Sequence, residues 1–455
     1  MLHQRCLSLL VGLVIFVTSP TFAADTWQAG AAKIKITPEQ PVWMAGYASR
    51  TRPADSKLTE LWAKALLIED PRGQRVLLVT LDLVGIDREL ALEVRKALAE
   101  QHQLTLGQVS LCTSHTHSGP VVAGNLRPMH DLLPEPQQKL IADYARVLVK
   151  KIIDCARTAR KQLAPCELSF GTGQATFATN RRNNKEAEIV ALRAAGQIVG
   201  PVDHDVPVLA VRDKSGKLLA VTFGYACHAT VLSDYAWCGD YPGYAQLDIE
   251  KQHPEAIALF WAGCGGDQNP LPRRKVELAQ AYGQQLAQAV NAVLKQPMAP
   301  VRGAIQANYQ EIDLPLAKLP TVAELQLQTE SKDKYVVARA KYLLQQIEAG
   351  QPLSPTYPYP ITRWQLGDTI EWIFLGGEVV VDYAVRIKSS NRAVQPWVTA
   401  YSNDVMAYIP SRRVLGEGGY EGGGSMVYYG LPTLWADAVE EEIIGAGKKL
   451  AEAKP

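Results

Sequence analysis

The stretch that most constrains this chain is Val109–Pro120, VSLCTSHTHSGP, an apolar run that ends in two histidines and is halted at Gly119-Pro120. An apolar run of this length reads as one buried strand. Polar side chains just past the carboxyl end of such a strand are how α/β folds build sites, because the loop there is free to carry them. In extended backbone, side chains two apart share a side. The spacing therefore predicts that His115 and His117 project together. Neutral imidazole is both a metal ligand and, near neutral pH, a proton carrier. Two readings stand side by side: a metal or acid–base site, and two polar residues bonded to loop backbone.

A chain of 455 residues with 47% hydrophobic and 20% charged content can bury one large core or two smaller ones and is not disordered. Lys plus Arg total 47 against 46 for Asp plus Glu, so no global field draws in nucleic acid or an anionic membrane. At the N-terminus Arg5 precedes an apolar run through Leu9 and Val17, followed by the small-residue step Thr21-Phe22-Ala23. That pattern reads as a signal peptide over residues 1–23, shorter than the ~20 apolar residues a spanning helix needs, with an uncleaved anchor as its rival. The expectation is a secreted or periplasmic protein whose residues 24–455 form a single domain. Loss of Cys6 with the leader leaves six cysteines. In an oxidising compartment Cys155 with Cys166 and Cys227 with Cys238 are the local pairs. Buried thiols at Cys112, Cys227 and Cys264 are the other reading.

Along the chain the pattern alternates strand and helix. Strands are expected at Ala29–Thr37, Ala63–Ile68 and Val76–Leu81, the last two joined by the turn Asp70-Pro71-Arg72-Gly73. A helix follows at Arg88–Gln101, and Asp82 either caps it or holds a histidine, with the cap preferred. Helix Gln137–Ala159 and strand Leu168–Phe177 lead into Asn180-Arg181-Arg182-Asn183-Asn184. The hairpin Val206–Val211 and Leu218–Tyr225 ends at Cys227-His228, so His228 stands at a strand end as His115 does. Two ligands converging from neighbouring strands is the arrangement this suggests. Asp240 opens a helix reaching about Gln252, and its role is structural before site-lining. Strand Ala256–Trp261 meets the glycine-rich turn Gly263–Pro270, then comes helix Val276–Val293. Strand-like alternation over Arg302–Leu314 precedes a helical excursion near 320–350. Hairpin Thr362–Leu366 and Ile370–Leu375 delivers Glu378 to the start of a helix, Val379–Ile387, where the helix dipole favours an acid. Strand Trp397–Tyr401, a Gly- and Tyr-rich loop Ser402–Tyr429 and helix Leu431–Ala453 complete an α/β chain.

Thr116-His117-Ser118-Gly119-Pro120, preceded by Ser114-His115, closely resembles the signature of the neutral/alkaline, non-lysosomal ceramidases. Gly46-Tyr47-Ala48, Asn180-Arg181, Gly377-Glu378 and Tyr420-Glu421-Gly422 extend the resemblance over nearly all of residues 30–453. It implies two β-sheets flanked by helices, and it implies the catalytic domain standing alone, without the immunoglobulin-like domain that those enzymes carry. The metal ligands it implies are His115, His228, Glu378 and Tyr408, holding Zn²⁺. His117 would carry the proton to the leaving amine, and Tyr420 and Arg181 would bind or orient the substrate, with Arg182 the neighbour left open. Two departures stand out: Ala45 replaces a methionine in the entrance loop, and Asn269 replaces the serine of Gly-Asp-x-Ser-Pro. An asparagine amide can donate to an oxyanion but is no alkoxide nucleophile, which leaves metal-activated water as the route. The function implied is zinc-dependent hydrolysis of a linear amide, N-acyl-sphingosine or a related N-acyl lipid. A non-catalytic periplasmic ligand-binding relative and an esterase or lactonase on the same scaffold are the alternatives.

Overall fold

The computed structural model describes residues 26–390 and 394–452; the expected signal segment and Ala453 lie outside them. Among the described residues no helix is long and apolar enough to cross a membrane. The described residues build two large sheets and three two-stranded ones. The first takes β1 (Trp27–Lys35), β2 (Trp62–Glu69), β3 (Arg75–Leu81), then helix α1 (Arg88–His102) and β4 (Val109–Thr113). Next come α2 (Glu135–Lys161), β5 (Ala164–Gln174), β6 (Asp205–Arg212), β7 (Leu218–Tyr225), α3 (Asp240–Gln252) and β8 (Ile257–Ala262). Its spatial order is β8-β7-β6-β5-β1-β2-β3-β4. Helix α1 is the crossover that lets β4 run parallel to β3, with Leu81 opposite Thr113. Helix α3 does the same for β8 beside β7, with Ala262 opposite Tyr225.

After helix α4 (Val276–Lys295) the second sheet forms from β9 (Ile305–Pro315), β10 (Thr356–Leu366), β11 (Ile370–Leu375) and β12 (Gln395–Thr399), in that order. The excursion between β9 and β10 folds as a short helix, Val322–Gln328, and α5 (Lys334–Glu348). Helix α6 (Asp382–Ser389) precedes β12, and α7 (Val439–Glu452) ends the described chain. The two sheets face each other through a cluster that includes Trp261, Trp364, Trp372 and Trp397, all buried. Large aromatic side chains fill such an interface because each removes a wide apolar area from water. Helices α1 and α2 cover the outer face of β1 to β4, and α3 and α4 cover that of β6 to β8. The layers are helix, sheet, sheet, helix, as the resemblance implied.

The strands that carry the two histidines are not neighbours. Between β7 and β4 the sheet order places five other strands. The sheet curls, as strand twist favours, until β8 approaches β4, and Lys64 Nζ on β2 donates to Ala258 O on β8 at 2.7 Å. The segment after β12 bridges the gap. Gly263 pairs with Thr399 and Cys112 with Ser402, so this segment touches the ends of both β8 and β4.

Other expectations need correcting. Asp87, not Asp82, caps α1, accepting from Leu90 N at 3.0 Å. Asp82 instead accepts from Trp62 N at 2.9 Å and fixes the entry to β2. Glu378 is not at a helix start: it lies in a two-residue strand, Glu378–Val379, paired with Tyr408–Ile409, and α6 begins at Asp382. Six cysteines, Cys112, Cys155, Cys166, Cys227, Cys238 and Cys264, are unpaired and buried, so the local disulfides are not formed. Cys155 faces Ala32 O and Ala63 O from α2, turned into the helix–sheet interface. The stretch 402–429 is not an open loop, since it holds helix Arg412–Glu417, a π-helical turn at Tyr420–Gly424 and helix Met426–Tyr429.

Candidate metal centre

His115 lies two residues past β4 with φ 59°, so its direction comes from a left-handed turn rather than from strand alternation. The outcome matches the expectation by another route. The His115 and His117 rings lie edge to face with centroids 4.8 Å apart. His228 follows β7, and His228 N donates to Gln268 O while His117 N donates to Ala229 O, knitting the two histidine loops together. Glu378 arrives from the second sheet, its segment pressed against Gly266. A Cβ on Gly266 would stand 2.6 Å from Glu378 O, so only glycine permits this approach.

The polar atoms that meet here are mostly acceptors. His115 Nδ1 lies 2.6 Å from Val84 O, and His228 Nδ1 lies 2.6 Å from Gly265 O. A carbonyl oxygen can only accept, so each Nδ1 carries the hydrogen and each Nε2 of the neutral ring presents a lone pair. Both Nε2 atoms lie 3.0 Å from Glu378 Oε2. Burial would raise the Glu378 pKa, but the charge that His115 and His228 carry when protonated outweighs it and holds the carboxyl well below its ordinary range. Burial, then the Arg181 charge, pushes His228 down to about 4. In the neutral tautomers that the two Nδ1 bonds select, two imidazole lone pairs and a carboxylate oxygen converge, and among the described residues Glu378 Oε2 is buried without a donor. Such a set is repulsive unless a cation fills it.

Tyr408 OH lies 3.1 Å from His228 Nε2 and accepts from Arg181 Nη2 at 3.1 Å. The four residues implied as metal ligands thus stand together. His117 differs from them: its Nε2 lies 3.1 Å from His115 Nε2, yet its Nδ1 is buried with no partner. His115, His117 and His228 offer ring nitrogens all within 4.8 Å of one another. Metal-binding histidines are almost always oriented by a second hydrogen bond through the other nitrogen. His115 and His228 have one, and His117 has none. Burial, then His115 and His228, hold His117 well below its ordinary pKa, so it is neutral near pH 7. The Tyr47 ring packs on it at 4.7 Å, and Gly46 gives it room, since a Cβ there would meet His117 Nδ1 at 2.4 Å.

Arg181, rather than Arg182, enters the site. Its Nε donates to Glu421 Oε1 at 2.6 Å and its Nη1 to Asn269 Oδ1 at 3.3 Å. Burial opposes its charge, but Tyr408 and Glu421 outweigh that and hold it well above its ordinary pKa. Arg182 turns outward to Glu417, Glu421 and Gly418 O. Asn269 sits in a short strand, Gln268–Pro270, paired with Ala178–Asn180, which is how the glycine-rich turn comes to face Arg181. Tyr420 is half-exposed, with its ring 5.4 Å from that of Tyr408. A cleft of about 490 Å³ opens over Arg181, Asn269 and Tyr420.

Two site residues were missed in the sequence. Tyr429 OH donates to Glu378 Oε1, orienting the carboxylate, and the Tyr401 ring lies 4.3 Å from His115. Tyr429 sits in a stretch rich in tyrosine, where nothing local singles one out, and Tyr401 reads as the last residue of an apolar strand. Glu421, visible only as part of Tyr-Glu-Gly, proves to clamp both arginines.

Comparison with known proteins agrees with this architecture. The chain is 25% identical over 240 residues to a neutral ceramidase of Drosophila pseudoobscura pseudoobscura, covering 51% of this chain and 33% of that protein. A neutral ceramidase of Oryza sativa subsp. japonica is 28% identical over 115 residues, 25% of this chain and 15% of that protein. The matches thus span about a third or less of the curated relatives. Among solved structures, neutral ceramidase from Pseudomonas aeruginosa superposes with a TM-score of 0.70 at 20% identity, covering 94% of this chain and 74% of that one. A ceramidase complexed with C2 gives 0.70 at 19% identity, covering 94% and 75%. The family model for the N-terminal part of neutral/alkaline non-lysosomal ceramidases matches residues 27–270, more than half of the sequence, and the chain belongs to that family.

Proposed function

We propose that this protein is an exported, zinc-dependent hydrolase of N-acyl amides. The observation that carries the reading is the meeting of two imidazole lone pairs and an ionised carboxylate oxygen at 3.0 Å with no donor among them. A nitrogen and oxygen set of this kind, His115, His228, Glu378 and Tyr408, would hold Zn²⁺. Zinc bound there supplies a Lewis acid that polarises a carbonyl and lowers the pKa of water. Export rests on the N-terminal leader pattern.

The chain's own groups account for the rest. His117 is neutral, its Nε2 turned to the centre and its Nδ1 bound to no carbonyl that would fix the tautomer, so Nε2 can take a proton from the attacking water and deliver it to the amide nitrogen. The carbon–nitrogen bond breaks as the carbon–oxygen bond forms, giving a carboxylic acid and an amine. Arg181, fixed on three sides by Tyr408, Asn269 and Glu421, stabilises negative charge on the carbonyl oxygen. Asn269 spends Oδ1 on Arg181, which leaves its NH₂ to donate to that same oxygen. Tyr420, at the cleft wall, orients the substrate.

The test is amide hydrolysis by protein purified without added metal, before and after chelation. Near-stoichiometric zinc and activity lost on chelation and regained with zinc are expected. Full activity in metal-free protein would refute the proposal.

A further inference from the structure

The cleft beside the proposed centre is built for charge rather than for alkyl chains. Its walls carry four cations, Arg181, Arg182, Lys185 and Arg273, against two carboxylates, Glu186 and Glu421, and Leu271 is the sole aliphatic side chain among its lining residues. Glu421 is almost fully buried, and both its oxygens are spent, one on Arg181 and one on Arg182 at 2.6 Å. It holds the two guanidiniums side by side, and Glu417 at the rim adds a second carboxylate to Arg182 at 3.0 Å, so the unspent donors of the cleft are those of Arg273 and Lys185. Arg273 meets Glu186 through Nε and Nη2 at 2.9–3.1 Å, leaving Nη1 without a protein partner among the described residues. Among the described residues Lys185 meets only the exposed Glu188, at 3.4 Å. Planar guanidiniums grouped at a mouth suit a carboxylate, phosphate or sulfonate. Arg181, Asn269 and Tyr420 belong both to this cleft and to the reaction site, so an anion bound here stands next to the scissile amide.

We infer that this cleft is an anion subsite, and that the chain selects amides bearing an acidic group over neutral N-acyl amides. The inference rests on the hydrolase reading for its reaction but not for its binding.

The experiment pairs N-lauroylglycine with N-lauroylethanolamine, which share an acyl chain and differ in carboxylate against hydroxyl. In the zinc-loaded protein at low salt, kcat/KM is expected to favour the acid by about tenfold, and the preference should shrink in high salt as the charges are screened. Arg273→Gln and the exposed Lys185→Gln should each lower the ratio about threefold or more, chiefly through KM of the acid. N-lauroyltaurine and a phosphate-bearing analogue distinguish which anion the subsite prefers. Equal or better use of the neutral probe, or a ratio unmoved in both variants, overturns the inference. If neither probe is hydrolysed, the hydrolase reading fails and calorimetric binding decides the subsite. Tighter binding of the acid, weakened in Arg273→Gln, sustains it, and equal binding refutes it.

Discussion

One hydrogen bond separates the roles of the three histidines. His115 and His228 are each pinned through Nδ1 to a backbone carbonyl, whereas His117 Nδ1 has no partner. A ligand needs a fixed lone pair, and a proton carrier needs a free nitrogen. His117→Gln is accordingly expected to retain bound zinc while losing about 10²- to 10⁴-fold in kcat, and metal content measured beside turnover checks it. Loss of zinc in that variant would make His117 a ligand instead. At this scale the sequence was most informative where a polar residue interrupts an apolar strand. His115 and His228 stand out in that way, and Glu378 follows one. It was least informative where function depends on which of several equal residues folds inward: Tyr429 beside Tyr428, or Arg181 beside Arg182. Asp82 and Asp87 are a similar case, because either could cap α1 and only the length of the intervening turn decides.

Among the elements, the segment from Thr399 to Asn403 does what strand adjacency was expected to do. Ala400 N donates to Ala262 O and Thr113 N donates to Tyr401 O, so the ends of β8 and β4 are held to one strip of backbone. Asn403 fastens that strip. Its Oδ1 accepts from Leu111 N at 2.9 Å, its own N donates to Leu111 O at 2.8 Å, and its φ of 62° is one that asparagine tolerates better than most residues. Asn403→Ala strands the buried Leu111 N and strains the turn. It is expected to cost about 1–3 kcal/mol in urea unfolding and to weaken zinc retention. Unchanged stability and metal content would show that the strip is dispensable. Local periodicity exposed the α/β alternation and the hairpins, because those patterns are written within ten or twenty residues. It could not expose a contact between β4 and a segment nearly three hundred residues later, and so the convergence of the two histidines was ascribed to neighbouring strands. The disulfide expectation failed for a related reason. Cys155 and Cys166 are close in sequence, but α2 turns the first into the helix–sheet interface.

For the molecule as a whole, buried ionisable groups pull stability in opposite directions as pH changes. Burial raises Asp404 to about 7, even though it accepts from Tyr357 OH at 2.6 Å. Burial lowers His130 to about 3 and, with Arg181, His228 to about 4. A depressed histidine costs stability as pH falls below its unfolded value. A raised aspartate does the reverse: the folded state keeps a proton that the unfolded state has lost, so stability falls as pH rises from the unfolded value near 4 to about 7. Because these terms overlap, the aspartate is isolated by difference. Asp404→Asn, which can still accept from Tyr357, is expected to match the parent near pH 4 and to exceed it above pH 7, by on the order of 1–3 kcal/mol. Denaturation at several pH values would check this, and a difference independent of pH would contradict it.

The proposed chemistry depends on a cation belonging among His115, His228, Glu378 and Tyr408. Anomalous diffraction from crystals, recorded on either side of the zinc absorption edge, tests that most directly. A single strong peak enclosed by His115 Nε2, His228 Nε2, Glu378 Oε2 and Tyr408 OH is the expected result. Zinc-saturated crystals with no peak there, or with the ion held elsewhere, would contradict it.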